Sequence, residues 1–218
     1  MCACPRSLML PTDYARARRL LSRRDKVIRA LIERHGDCGL AEAQRADPFH
    51  ALIHAIIAQQ LSTKAAATIE ARFTALFAGR PTPAGVARAS DGRLRSVGVS
   101  PQKLMYMRDL CTRVLDGSLG LDALEALPDD EVIVALTSVK GIGRWTAEMF
   151  LMFRLHRPDV LPVGDLGIVK AVQKAYKLRA LPSPERLTKI GENWRPYRSV
   201  ACWYLWRSLA TTPNSQVE

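Results

Sequence analysis

From Leu136 to Asp165 the chain reads LTSVKGIGRWTAEMFLMFRLHRPDVLPVGD, and two glycines two residues apart constrain its fold more than any other feature. Val139-Lys140-Gly141-Ile142-Gly143 separates two helix-like runs. Glycines at this spacing permit a turn too tight for residues bearing a Cβ, and they leave backbone N–H groups open to a ligand. The following run, Arg144 to Leu155, lacks glycine and proline and sets Trp145, Met149 and Met152 along one helical face. Its N-terminus directs unpaired amides and a partial positive charge toward the turn, a seat suited to a phosphate. The same pattern also describes an ordinary αα-hairpin with a glycine connection.

Charge points the same way. The 218 residues carry a formal net charge of +11, which favours a polyanionic partner, most simply nucleic acid. Five cysteines (Cys2, Cys4, Cys38, Cys111, Cys202) are scattered, so neither a zinc site nor a disulfide framework is indicated. Four histidines, none in an H-E-x-x-H pattern, argue against a transition-metal active site. No stretch approaches a membrane span or a signal peptide, and the expected setting is intracellular, cytoplasmic and nucleoid-associated.

Strand signals are nearly absent. Pro11 to His35 reads as a first helix, with Thr12 or Asp13 as cap, Gly36 as stop and an arginine-rich solvated face. Asp47-Pro48 starts the next helix, and Phe49, Leu52, Ile53, Ile56 and Ile57 supply its apolar spacing. That helix runs into Gln59-Gln60-Leu61-Ser62, where Ser62 or Thr63 caps a helix reaching Phe77. Two amides and a leucine at this junction read either as a polar turn with a core leucine or as a probe inserted into DNA. Short helices follow at Ala84–Ala89 and Asp91–Val97, then a longer one from Ser100-Pro101 to Leu115. Leu121–Ala126 and Asp129–Leu136 lead into the hairpin, and Leu166–Lys177, Pro184–Asn193 and Pro196–Leu209 close the chain. The expectation is a compact all-α protein of interwoven lobes: an N-terminal segment 1–45 packing with the C-terminal lobe, a central lobe 46–128, a hairpin and catalytic lobe 129–210, and a tail 211–218.

Asp165 follows Leu161-Pro162-Val163-Gly164 and precedes the apolar run Leu166-Gly167-Ile168-Val169. As such it reads as a helix N-cap. Capping is compatible with catalysis, because a carboxylate at a helix N-terminus is stabilised as the anion by donated N–H bonds and the helix dipole. Such a group makes a poor general acid but a good fixed anion beside a developing cation.

The hairpin, G-I-G-R-W-T-A at Gly141–Ala147 and L-P-x-G-D-L-G at Leu161–Gly167 together resemble the helix-hairpin-helix DNA glycosylases, in particular the DNA-3-methyladenine glycosylase II branch. The resemblance is densest over Asp47–Lys64 and Asp129–Leu209. It implies the helix-hairpin-helix glycosylase fold, two helical lobes with a cleft between them, acting as a monomer on double-stranded DNA that contains damaged bases. It places the catalytic aspartate on Asp165 and the DNA-gripping hairpin on Lys140, Gly141, Ile142, Gly143 and Thr146. A structural Na or K ion is implied at the backbone carbonyls of Thr137, Val139 and Ile142. Strand-cutting relatives carry a lysine immediately after G-x-G-x, where this chain has Trp145. No Schiff base can form at that position without an amine, so a monofunctional, water-using enzyme is expected. The four-cysteine pattern of iron–sulfur relatives is missing, since Cys202 stands alone.

Within the resemblance, Trp145, Met149, Trp203, Trp206 and Arg207 fall at base-pocket positions, Trp206 being reached through W-R-P-Y-R-S at Trp194–Ser199. Met149 departs from the aromatic of relatives, which implies a wider or less selective pocket. Gln59, Gln60, Leu61 and Ser62 match the segment that pushes a side chain into the duplex, with Gln60 or Leu61 as the plug. The implied activity is excision of alkylated bases such as 3-methyladenine and 7-methylguanine in base excision repair. The alternatives are a non-catalytic DNA clamp and a glycosylase for another lesion.

Overall fold

A computed structural model describes residues 9, 11–41 and 47–210; Cys2, Cys4 and the expected tail lie outside the described residues. Among these residues there are helices and turns but no strand. The chain divides into two compact units, one made of Met1–Gln44 with Leu151–Glu218 and the other of Arg45–Phe150. This grouping puts the hairpin in the central unit, apart from Asp165, rather than in the expected lobe 129–210.

The first expected helix is two. α1 (Pro11–Arg24) ends at Asp25, whose extended backbone (φ −141°, ψ 110°) breaks the run before α2 (Lys26–His35). Asp25 Oδ1 accepts the Val27 and Ile28 N–H groups at 2.9 and 3.2 Å and so caps α2. Its second oxygen accepts the Tyr176 hydroxyl at 2.5 Å and the Trp194 indole N–H at 3.0 Å. The Tyr176 hydroxyl is correspondingly pushed well up from its ordinary value, by burial first and then by the Asp25 carboxylate. A buried carboxylate with four donors is satisfied, and it pins the α1–α2 corner to residues far along the chain.

The central unit opens with α3 (Pro48–Ala58), α4 (Thr63–Ala75), α5 (Pro83–Arg88), α6 (Asp91–Arg95) and α7 (Pro101–Leu115). Each start carries a local signal. Asp47, Ser62, Thr82, Ser90 and Ser100 accept N–H bonds from the first turns of their helices, and prolines occupy the first turns of α3, α5 and α7. Phe49, Leu52, Ile53, Ile56 and Ile57 are all buried, as their spacing predicts. A 3₁₀ segment at Leu121–Glu125 precedes α8 (Asp129–Thr137), the hairpin and α9 (Arg144–Met149).

The helix expected over Arg144–Leu155 keeps α geometry for only six residues and then widens into a π turn over Phe150–Arg154. Trp145 and Met149 lie one turn apart on the α part, exposed and half-buried, while Met152 falls in the π turn, whose shifted register carries it into the core. The expected Trp145–Met149–Met152 stripe therefore does not share one environment. The other unit is completed by α10 (Leu166–Ala175), α11 (Pro184–Gly191) and α12 (Arg198–Ala210). α12 is anchored at its start by Arg198, which grips Asp159 through Nε–Oδ1 at 2.7 Å and Nη2–Oδ2 at 3.1 Å.

Candidate active site

Asp165 is 8% exposed at the N-cap of α10. Its Oδ1 accepts the Ile168 backbone N–H at 2.7 Å and the Trp206 indole N–H at 3.0 Å. Two donors on one oxygen fix the plane of the carboxylate, and Trp206 on α12 is fixed in turn. The ring of Phe153, in the π turn, stacks on Trp206 with centroids 5.9 Å apart and planes at 26°. Gly167 makes room for this arrangement, since a Cβ there would lie 2.9 Å from Asp165 Oδ1 and 3.2 Å from the Trp206 ring. The result is a held anion with an aromatic pair at its edge. Leu166, next in the chain, is exposed.

Trp203 has different company. A Cβ on Gly39 would come within 2.9 Å of its ring, and the Arg207 guanidinium sits 5.7 Å over the same ring. Its neighbour Tyr204 meets it edge-on at 5.0 Å. Trp206 is therefore the indole bonded to the carboxylate, while Trp203 and Arg207 form a cation–π pair against the N-terminal segment. The sequence alone offers Trp203 as a substitute for Trp206 one turn earlier on the same helix; the structure gives the two indoles different partners.

In the central unit, Val139 and Ile142 are buried and anchor the hairpin, leaving Lys140, Gly141 and Gly143 exposed. Ile142 N–H closes the turn on Val139 O at 3.1 Å. Gly141 sits at φ +80°, and a Cβ there would run into the Tyr106 ring at 2.1 Å. The glycine is thus required twice, by conformation and by the aromatic face packed on it. Lys140 N–H donates to Asp109 Oδ2 at 2.9 Å, and the same carboxylate takes Arg113 Nε at 2.9 Å. Burial acts to raise the Asp109 carboxyl, but the Lys140 N–H, Arg113 and the Lys140 charge outweigh it and hold it below the usual carboxylate range.

The Gln59–Ser62 junction is tied to this hairpin. Gln59 Nε2 donates to Gly141 O at 2.7 Å, Lys103 Nζ donates to Ile57 O at 2.7 Å, and Leu61 N–H bonds Ala58 O at 3.2 Å. Gln59 is therefore a brace for the hairpin, although its position in the sequence puts it among expected DNA contacts. Gln60 adopts the left-handed region at φ +57° and is exposed, as is Leu61 at 39%. A non-glycine residue held there is strained, a condition that concentrates at functional positions. Ser62 Oγ accepts Ala65 N–H at 3.3 Å and caps α4. Thr146, expected at the DNA surface, is buried in the first turn of α9. Trp145 is 51% exposed.

Phe153, Gly167, Tyr106 and Asp109 were not read from the sequence. Gly167 was within sight, since it closes L-P-x-G-D-L-G. The others hold partners that no local pattern announces.

Residues 53–196 match the HhH-GPD superfamily base excision DNA repair protein model. DNA-3-methyladenine glycosylase 1 of Schizosaccharomyces pombe is 34% identical over 168 residues, covering 76% of this chain and 74% of that protein. The solved structure of S. pombe 3-methyladenine DNA glycosylase Mag1 in complex with abasic DNA matches with a TM-score of 0.79 and 32% identity, over 89% of this chain and 97% of that one. DNA-3-methyladenine glycosidase from Bacillus halodurans matches with a TM-score of 0.80 and 39% identity, over 89% of each chain. With the helical architecture, the glycine hairpin and the capped aspartate in place, the chain belongs to the HhH-GPD superfamily of base excision DNA repair proteins.

Proposed function

We propose that the chain is a monofunctional DNA glycosylase that flips alkylated bases out of double-stranded DNA and hydrolyses their N-glycosidic bonds, working as a monomer. The observation that carries the reading is Asp165, a buried carboxylate held on one oxygen by Ile168 N–H and Trp206 Nε1–H beside an aromatic pair. A base stacked in duplex cannot be attacked at its glycosidic carbon, and rotating it out costs a few kcal/mol. Gln60 or Leu61, exposed at a strained turn, fills the vacated space. The hairpin that this turn is braced against grips the strand through its exposed backbone.

Alkylation at N3 or N7 leaves a purine positively charged and already a good leaving group. A site with one fixed anion then suffices, because Asp165 stabilises the positive charge that develops on the sugar and water completes the reaction. Indole faces attract such cationic bases, each contact contributing about 0.5–2 kcal/mol. Trp206 stacked with Phe153 supplies such a face, and Trp145 is an exposed indole of the central unit. Because Trp145 stands where strand-cutting relatives have lysine, the product is an intact abasic strand.

A monovalent cation suits the hairpin carbonyls of Thr137, Val139 and Ile142, since hard oxygen donors match alkali ions. Val139 O already accepts Ile142 N–H at 3.1 Å and keeps a second lone pair for such an ion. No helix among the described residues is long and apolar enough to cross a membrane. The reaction is tested with duplexes each carrying one lesion (3-methyladenine, 7-methylguanine, hypoxanthine or ethenoadenine), with and without later alkali. Strand breaks only after alkali fit the proposal; breaks without alkali contradict its monofunctional part, and no release of any base contradicts it entirely.

A further inference from the structure

We propose that one face of α1 is a second phosphate-binding surface, taking the backbone of duplex DNA outside the lesion; the DNA partner, though not the surface, rests on the glycosylase reading. α1 carries five arginines in its 14 residues and a single acidic side chain, Asp13. Two of the five are committed within the protein: Arg18 pairs with Asp37, and Arg24 Nη1 donates to Arg195 O at 2.6 Å. Arg16, Arg19 and Arg23 are exposed, and they recur at i, i+3 and i+7, which places them in one stripe. Tyr14, Ala17 and Leu21 repeat with the same spacing and are buried, so the helix is held by its other face.

Packing three cations on neighbouring turns is unfavourable for an isolated helix, because like charges at these spacings repel. A surface shaped only for solubility intersperses the two signs. This stripe does not. Its members span about 10 Å of helix axis at 1.5 Å per residue. Duplex DNA presents about one negative charge per 1.7 Å of its own axis, so a stripe of that length meets several phosphates at once. The stripe also borders a hollow of about 700 Å³, lined by Arg16, Arg18, Arg19 and Arg23 together with Leu20 and Ile32. A guanidinium can take phosphate oxygens in a bidentate fashion that the point charge of a lysine cannot match.

The test is binding of an undamaged 30-base-pair duplex by the full chain across a salt series, comparing wild type with Arg16→Gln/Arg19→Gln/Arg23→Gln and with the triple lysine variant. Three lost phosphate contacts lower the slope of log affinity against log salt by roughly 2–3 and weaken binding about tenfold or more at low salt. The lysine variant keeps the wild-type slope, and equal thermal midpoints for all three proteins show that α1 remains folded. An unchanged slope and affinity in the glutamine variant overturns the proposal. So does loss of binding to phosphatidylserine vesicles with the DNA slope intact, which assigns the surface to lipid. Because the readout uses undamaged DNA, a wild-type protein that excises nothing sinks the glycosylase reading and leaves this measurement standing.

Discussion

Trp206 donates its indole N–H to Asp165 Oδ1 at 3.0 Å, the same oxygen that caps Ile168 at 2.7 Å. The bond links the last helix to the start of α10 and fixes the orientation of the carboxylate. Trp206→Phe keeps a ring for the Phe153 stack and removes only the donor. A hydrogen bond to a charged group contributes about 1.5–3 kcal/mol, so excision measured under single-turnover conditions is expected to fall roughly 10- to 100-fold. An unchanged rate would mean that the indole N–H plays no part in orienting the aspartate.

Gly167 tests the same geometry from below. In Gly167→Ala the new Cβ lies 2.9 Å from Asp165 Oδ1 and 3.2 Å from Trp206, so one of them must shift. The expected cost is about 1–3 kcal/mol of stability, read by urea unfolding. The excision rate should fall further than the lost folded population explains. A variant as active and as stable as wild type would show that the packing around the carboxylate is looser than these distances imply.

Helix starts were legible because their signals are local. Asp47, Ser62, Ser100 and Ser183 each accept an N–H from a residue three positions on, and each was expected or implied by a proline-led helix. The break at Asp25 was not legible. Its second oxygen is held by Tyr176 and Trp194, 151 and 169 residues away, and nothing between Pro11 and His35 records them. Gln59 and Gln60 show the same limit at the site. Side by side they read as equivalent, yet Gln59 is drawn to Gly141, 82 residues on, leaving Gln60 as the exposed amide. The aspartate and the hairpin could be found because glycine spacing and a capping carboxylate are written in consecutive residues. Phe153 needed the π turn, which has no recognisable local pattern.

The hairpin depends on Tyr106. Gly141→Ala places a Cβ 2.1 Å from that ring at a backbone φ of +80°, so both packing and conformation are violated. About 1–3 kcal/mol of stability should be lost to strain alone, with weaker binding of abasic duplex as the second readout. Adding Tyr106→Ala relieves the clash but leaves the backbone strain, so partial recovery is expected. Full recovery would show that the φ requirement is negligible.

Asp109 should make part of the stability acid-sensitive. Its carboxyl is held below the ordinary value near 3.9, although burial alone acts in the opposite direction. A depressed folded-state value means the carboxylate stabilises the fold above the unfolded value, and this contribution is lost as pH falls through the folded one. Urea unfolding from pH 7 down to about 3 should therefore show a steeper loss near the acid end for wild type than for Asp109→Asn. Parallel curves would contradict the assignment of that carboxylate to the hairpin.

The central claim is that Asp165 supplies the charge that drives base loss while taking little part in holding DNA. Single-turnover release of 3-methyladenine by Asp165→Asn, measured beside its affinity for the same duplex, tests this most directly. The expected result is loss of nearly all excision, with affinity equal to or above wild type because a negative charge, repulsive toward phosphate, has been removed. Excision at the wild-type rate by that variant would contradict the account.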